Sequence, residues 1–321
     1  ADAVQQITGY GQGVANASGI PFLSRLEIET GSSEKSWVGS ITSVQPLWQD
    51  ANDIHHIFAQ LSWYKAPDTT SETGVKDKYD TYNAGLAYRY LTPDKKYLYG
   101  ANMFFDYAPL HDHTRMSLGV DARTSQLAFS ANRYMPLSTW KSVSSYNEER
   151  AAAGWDTELR GQVPDLPSWT AIVKGYEWDG FSEGTKLYGA QAAVEYSPVP
   201  AMAVRVGIRD ESQGSASLEA ALRFNWRFDQ PQDLQFKPRT ELASVADYVY
   251  EKVQRENIIR VKQRQKASAR LTVIETTGIN TAQEPAGVSS LHINQNLMMP
   301  VTVTTANQFT LSAFRQAQVA T

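Results

Sequence analysis

Cysteine is absent from the 321 residues, which excludes disulfide frameworks, thiolate metal sites and a cysteine nucleophile. Such a chain also crosses an oxidising compartment without risk of wrong pairing. No run of about 18 apolar residues occurs, and the mean hydropathy is −0.41, so this is not a helical membrane protein. An excess of basic charge is lacking too. Thirty Lys and Arg stand against 34 Asp and Glu, for a net charge of −4, which speaks against nucleic acid as a partner. The start, Ala1-Asp2-Ala3-Val4, has neither a basic n-region nor an apolar h-region, so any signal peptide is expected to be gone already. With 42% hydrophobic and 20% charged residues, the chain is long and apolar enough to bury a sizeable core.

Aromatic residues are plentiful, at 11%, with 16 Tyr, 8 Trp and 11 Phe. They fall in stretches that alternate with period two. In residues 82–90, Tyr82, Ala84, Leu86, Tyr88 and Tyr90 share one face, and Asn83, Gly85, Ala87 and Arg89 the other. Farther on, Tyr97, Tyr99, Ala101, Met103, Phe105 and Tyr107 oppose Gly100, Asn102 and Asp106. Met116, Leu118, Val120 and Ala122 oppose Arg115, Ser117, Gly119, Asp121 and Arg123. The same holds for Val204, Val206 and Ile208 against Arg205, Gly207 and Arg209. It holds again for Leu218, Ala220, Leu222, Phe224, Trp226 and Phe228 against Glu219, Arg223, Asn225 and Arg227. Alternation means β-strands with one apolar and one polar face. A soluble antiparallel sheet would alternate as well. Two features favour a membrane barrel: a polar face that mixes charges with glycine, and an apolar face with aromatics near strand ends and aliphatics between.

Twelve strands are expected, near residues 22–31, 36–48, 54–65, 80–91, 96–107, 114–124, 126–136, 153–163, 168–178, 185–196, 201–211 and 216–228. Each is long enough to cross an apolar band of about 25 Å when tilted. Connections after odd-numbered strands include the two longest, near 66–80 and 144–154, while the others are tight turns such as those at 49–53 and 92–96. Long loops on one side and tight turns on the other are an outer-membrane asymmetry.

The strings YNAGLAYRYLT, YLYGANMFFDYAPLHDHTRMSLGVDARTSQLAFSANRYMPLSTWK and AAAGWDTELRGQVP, with SWVGSITSVQPLWQDANDIHHIFAQLSWYK upstream, resemble the barrel of the intimin/invasin family, the inverse autotransporters. ADYVYEKVQRENIIRVKQRQK after them resembles that family's helix-plus-linker segment. The resemblance covers roughly residues 1–266 and implies a twelve-stranded antiparallel transmembrane barrel of the bacterial outer membrane. A linker would pass back through its pore and carry a C-terminal adhesin passenger to the cell surface. It implies no enzyme activity and no cofactor. The partners it implies are outer-membrane lipid, the barrel-assembly machinery, periplasmic chaperones and, through the passenger, a host-cell receptor or matrix. The expected organisation is an N-terminal helix or turn at 1–20, the barrel at 21–229, a helix and pore-threading linker at 230–270, and the start of a passenger at 271–321. A LysM module is not visible. The last 51 residues are too few for an array of Ig-like domains, so the chain reads as a fragment with most of the passenger missing or reduced.

A barrel of about twelve strands is wider than its own side chains fill. The segment after Phe228 is the candidate to occupy it. Leu242, Val245, Val249 and Val253 fall at helical spacing after Thr240, which predicts a helix over 240–258. Residues 237–270 hold nine basic and four acidic side chains, net +5 in a chain of net −4. The expected plug residues are Tyr248, Lys252, Arg255, Asn257, Arg260, Lys262 and Arg264. The expected lumen face carries Arg89, Asn102, Asp106, Arg115, Asp121, Arg123, Asp156, Glu158, Arg205, Arg209, Glu219, Arg223 and Arg227. Acidic wall groups would give the basic segment charge-assisted hydrogen bonds. The plainer alternative is a solvated helix at the barrel mouth.

The last strand ends Trp226-Arg227-Phe228, which resembles the signal read by the barrel-assembly machinery. Ninety-three residues follow it, which a simple porin would not need. His111-Asp112-His113 falls in a predicted surface loop, where a turn is the simpler reading than a metal or catalytic site. The leading expectation is a translocator and anchor for a surface adhesin. The alternatives are a channel with a periplasmic tail, an outer-membrane hydrolase and a soluble β protein.

Overall fold

The computed structural model describes residues 25–266 apart from 34–35, 67–68, 71–75, 78–79, 145–146, 164, 181–183, 213–214 and 229–230. The expectations for residues 1–20 and 271–321 lie outside the described residues. By its contacts the chain forms two compact units, one of residues 1–139 and 150–262, the other of 140–149 and 263–321.

In the first unit twelve strands close into an antiparallel barrel. They are β1 (Arg25–Ser33), β2 (Ser36–Gln49), β3 (His55–Lys65), β4 (Thr81–Leu91), β5 (Leu98–Ala108), β6 (His113–Arg123), β7 (Leu127–Pro136), β8 (Gly154–Val163), β9 (Leu166–Asp179), β10 (Lys186–Val199), β11 (Met202–Glu211) and β12 (Ser217–Arg227). Each pairs with its sequence neighbours, and β1 closes the ring on β12 from Arg25↔Arg227 to Ser33↔Glu219. The closed barrel itself has no edge strand left to pair with another chain. The strands match the expected bounds to within three residues. Two strands of a few residues, Thr69–Thr70 and Lys76–Asp77, pair within the loop after β3. They were not foreseen.

The period-two pattern becomes two surfaces. Outward, Tyr82, Leu86, Met103, Phe105, Leu118, Val120, Val173, Val194, Val206, Ile208 and Leu218 are exposed. Inward, Asn83, Arg89, Asn102, Asp106, Arg115, Ser117, Asn132, Asp156 and Glu195 are buried. A soluble protein would reverse this arrangement, because apolar area left in water is unfavourable by about 25 cal/mol per Å². Outward rings gather at the strand ends: Trp169 lies tilted against Tyr196 with centroids 4.7 Å apart, and Tyr97 stacks on Tyr99 at 6.4 Å. That is where aromatic girdles meet headgroups.

Tight turns close one end. In the β2–β3 turn, Asp50 Oδ1 accepts the N–H groups of Ile54 and His55, each at 2.7 Å. These donors, His55 foremost, hold the Asp50 carboxyl below the usual carboxylate range. The second unit is described only in part. There Lys141–Ser142 pairs with Glu148 and Glu149, Arg264 bonds Glu148 at 2.6 Å, and the Arg264 guanidinium lies 4.0 Å from the Trp140 ring centroid.

The outward surface predicts an asymmetric cost of charge. Val173→Arg, in the middle of β9, should destabilise the barrel in lipid vesicles by about 2–4 kcal/mol in a denaturant titration, and Leu166→Arg, at its end, by about 0–1 kcal/mol.

Candidate functional site: the segment inside the barrel

After β12 the chain makes one α-helical turn, Gln232–Gln235, and then enters the barrel. The helix expected over 240–258 does not form. A single 3-10 turn, Val245–Tyr248, capped by Ser244 and Asp247, is followed by a turn at 249–250 and then irregular chain to residue 260. The reason lies in the wall. The Arg89 guanidinium donates to the carbonyls of Tyr248, Val249 and Glu251 at 2.7, 2.9 and 2.8 Å. The Val253 N–H donates to Gln60 at 2.9 Å, and Asn132 donates to the Gln254 carbonyl at 3.0 Å. Arg115 donates to the carbonyls of Glu256 and Ile258 at 2.8 and 3.3 Å, and Asn83 to that of Asn257 at 3.0 Å. The N–H groups of Glu256 and Ile259 donate to Tyr134 and Thr81. Buried backbone groups need partners. Here barrel side chains take the place of the i→i−4 bonds of a helix, and three valines lower helix propensity further.

The apolar residues mark the course of the segment. Val245, Tyr248 and Val249 pack against Leu91 and Leu98, at the tight-turn end of β4 and β5. Val253 packs against Val44, Phe58, Ala87 and Phe104. Ile259 packs against Ala108 and Ala151, at the long-loop end. The chain therefore runs inside the barrel from one end to the other. The spacing of Val245, Val249 and Val253 reports this line of wall contacts rather than a helix face. Phe104 can point inward because Gly85 faces it: a Cβ there would lie 2.3 Å from the ring.

The charged contacts centre on Asp106, which is fully buried. It accepts from Arg115 of the wall at 2.9 Å and from Arg255 of the segment at 2.6 and 2.9 Å. Asn83 donates to it at 2.7 Å, and Ser117 accepts from Arg255 at 3.0 Å. The guanidinium of Arg255 lies over Phe104 at 4.4 Å, and that of Arg115 over Tyr134 at 4.5 Å. Lys252 pairs with Glu27, and with Glu29 at 3.7 Å. Glu251 pairs with Arg123, whose guanidinium covers the Tyr248 ring. Lys174 reaches Asp156 at 3.2 Å and Glu256 at 3.6 Å. Toward the long-loop end, Arg260 pairs with Glu211 at 2.9 Å and Lys262 with Asp179 at 2.7 Å.

The residues named from sequence fall in three groups. Tyr248, Lys252, Arg255, Asn257, Arg260 and Lys262 meet the barrel as above, whereas Arg264 contacts Glu148 and Trp140 in the second unit. Among the wall residues, Arg89, Asp106, Arg115 and Arg123 touch the segment directly. Asp121 pairs with Arg89 at 3.3 Å, Asp156 with Lys174, Glu158 with Arg160 at 2.6 Å, Arg205 with Glu29 at 2.8 Å, Arg209 with Glu219 at 2.8 Å, and Arg223 with Glu195 at 2.7 Å. Asn102 is buried against Gly119. Arg227 exchanges backbone bonds with the Gln235 side chain, and Trp226 meets Phe236 at 5.8 Å. Phe228 lies just beyond β12.

Sequence reasoning missed Gln60, Thr81, Tyr134, Lys174, Glu195 and Glu211 as members of the site. Their signal is parity, since each sits on the inward face of its strand. It also missed His56, which is buried and meets the Tyr250 hydroxyl at 3.1 Å. The string from Gly180 to Gly184, with Ser182 at its centre, has the spacing of a nucleophile elbow. It joins β9 to β10, two antiparallel strands, where that motif requires a strand-to-helix turn.

Removing one member of a buried ion group leaves its partners uncompensated, at a cost of about 3–5 kcal/mol. Asp106→Ala is expected to destabilise the protein by that amount in denaturant unfolding. A double-mutant cycle with Arg255→Ala should return a coupling of about 1–3 kcal/mol, whereas Arg264→Ala should be additive with Asp106→Ala.

Comparison with known proteins agrees with this architecture. The family described as "Inverse autotransporter, beta-domain" matches residues 5–257. The chain is 27% identical over 246 residues to the inverse autotransporter adhesin YeeJ of Escherichia coli K12, covering 71% of this chain and 10% of that protein. It is 28% identical over 193 residues to intimin of Escherichia coli O127:H6, covering 56% and 20%. To invasin of Yersinia enterocolitica it is 27% identical over 225 residues, covering 64% and 26%. The chain thus spans between a tenth and about a quarter of the length of these relatives. A solved structure from work on the in-meso crystallization of membrane proteins superposes with a TM-score of 0.62 at 20% identity, covering 75% of this chain and 99% of that one, and shares the fold. A closed twelve-stranded barrel with an apolar exterior, together with a family match over most of its length, places this protein in the bacterial outer membrane. The chain belongs to the inverse autotransporter β-domain family, which is a family of translocators and adhesins and not of enzymes.

Proposed function

We propose that this chain anchors and exports a C-terminal passenger. On this reading the barrel of 21–229 sits in the membrane, residues 230–270 form the pore-resident linker, and 271–321 begin the passenger on the cell surface. A short N-terminal element of 1–20 stays in the periplasm. One observation carries the proposal: the chain after β12 runs through the lumen from the tight-turn end to the long-loop end, with wall partners for its backbone along the way. A channel with a periplasmic tail would have no use for a basic segment paired with Glu27, Asp106, Glu211 and Asp179 inside its pore.

The relatives are called an adhesin, intimin and invasin. They support a passenger that contributes to attachment to host cells, through a receptor or matrix component. Trp226 and Phe228 would serve the barrel-assembly machinery, with periplasmic chaperones escorting the unfolded chain.

The test is an epitope tag after Thr321 in cells expressing the chain. Antibody should label intact cells. Labelling only after permeabilisation would put the tail in the periplasm and replace this reading with the channel. In planar bilayers the intact protein should conduct poorly, and deletion of 237–321 should raise single-channel conductance several-fold. Equal conductance would contradict a filled pore.

A further inference from the structure

The chain reverses direction between the end of β12 and the pore entrance, and that reversal is built in an unusual way. Strand β12 outlasts its neighbour β11: Met202, the first residue of β11, pairs with Phe224, while β12 continues to Arg227 against Arg25 of β1. The edge of β12 beyond Phe224 would therefore expose backbone groups on the β11 side. Ala201 accepts one of them, the Asn225 N–H, at 2.9 Å. The next pair goes to a side chain. Gln235 accepts the Arg227 N–H at 2.8 Å and donates to the Arg227 carbonyl at 2.7 Å. Its own carbonyl accepts from the Ala201 N–H at 3.1 Å. Gln235 thus stands in for the missing strand and is 2% exposed.

With Gln235 held inward, its neighbours are forced outward. Leu234 is 51% exposed and Phe236 43%. Phe236 meets Trp226 edge to face, with centroids 5.8 Å apart. Trp226 belongs to the outward surface, one pair along from the exposed Phe224. That surface carries Trp169 and Tyr196 at the same tight-turn end. The far end of the segment is tied down too. The Arg239 N–H donates to the Pro198 carbonyl at 2.9 Å, and Ser168 donates to the Arg239 carbonyl at 3.3 Å. Two apolar side chains are therefore displayed in continuity with the lipid-facing band, from a backbone fixed at both ends.

We propose that Leu234 and Phe236 insert into the headgroup–acyl boundary of the phospholipid leaflet at the tight-turn end. Residues 231–236 are then a lipid-seated pivot that sets where the chain turns from the barrel wall into the pore. The partner is the lipid surface itself. A large apolar side chain beside a girdle tryptophan belongs at that depth, and exposed Asp233 on the same turn faces water. The inference holds whatever the chain carries, because it concerns only the barrel and its membrane.

The lack of cysteine makes the test direct. Leu234→Cys, Phe236→Cys and Asp233→Cys are each labelled with a nitroxide in the full chain, reconstituted in phosphatidylethanolamine/phosphatidylglycerol vesicles, and checked for heat-modifiable migration. Collision with oxygen and with a water-soluble nickel chelate is then read by power saturation. Labels at 234 and 236 should collide with the chelate several-fold less than the label at 233, and with oxygen more. Chelate access equal to that at 233 would overturn the proposal. So would labels at 234 and 236 shielded from both reagents, which would mean a protein surface, such as a second copy, covers them. All three are exposed positions, so the substitutions leave the fold intact.

Discussion

Asp106 binds one guanidinium from the wall, Arg115, and one from the threaded segment, Arg255, with no access to solvent. The desolvation of three charges is offset only because each also finds further polar or aromatic partners: Asn83 for the carboxylate, Ser117 and Phe104 for Arg255, Tyr134 and two backbone carbonyls for Arg115. Remove the segment and Asp106 keeps a single cation, while the space between the walls opens to water. Twelve strands enclose more volume than their inward side chains occupy. A bound chain is one way to fill that volume, and it must arrive with its own backbone groups satisfied.

That requirement explains the composition of the lumen. Amides and guanidiniums dominate the wall where the segment passes, because they donate to carbonyls that an irregular chain, neither helix nor strand, leaves free. Carboxylates face its lysines and arginines. Aromatic residues fill what remains: Tyr134 lies against Trp178 at 4.8 Å, and both lie beneath Arg115. The wall and the segment are therefore complementary in charge and in hydrogen bonding, while the outer surface is apolar for an unrelated reason, contact with lipid.

The barrel was legible in the sequence because its physics repeats every two residues. Tyr82 to Tyr90, or Leu218 to Phe224, cannot be moved by one position without turning charges toward lipid, so parity fixed the faces and turns fixed the strand ends. The segment inside was less legible. Val245, Val249 and Val253 carry helical spacing, yet the backbone of this stretch is bonded by Arg25, Gln60, Arg89 and Asn132, up to 225 residues away in sequence. No local pattern encodes such partners. Phe104, Tyr134 and Trp178 were hidden for a related reason. They are large apolar residues on a polar face, allowed there by the cations that cover them and, for Phe104, by the space left at Gly85.

The account turns on the segment lying in the lumen of the membrane-inserted protein. With no native thiol to interfere, Gln60→Cys and Val253→Cys place one thiol on the wall and one on the segment, within reach of a short bifunctional maleimide, where Gln60 accepts the Val253 N–H at 2.9 Å. Treatment of outer membranes with that reagent should convert most of the protein to an internally cross-linked form, seen as a shift on a denaturing gel. Two thiols that each react singly with the reagent, with no internal cross-link, would show an unoccupied lumen and contradict the account.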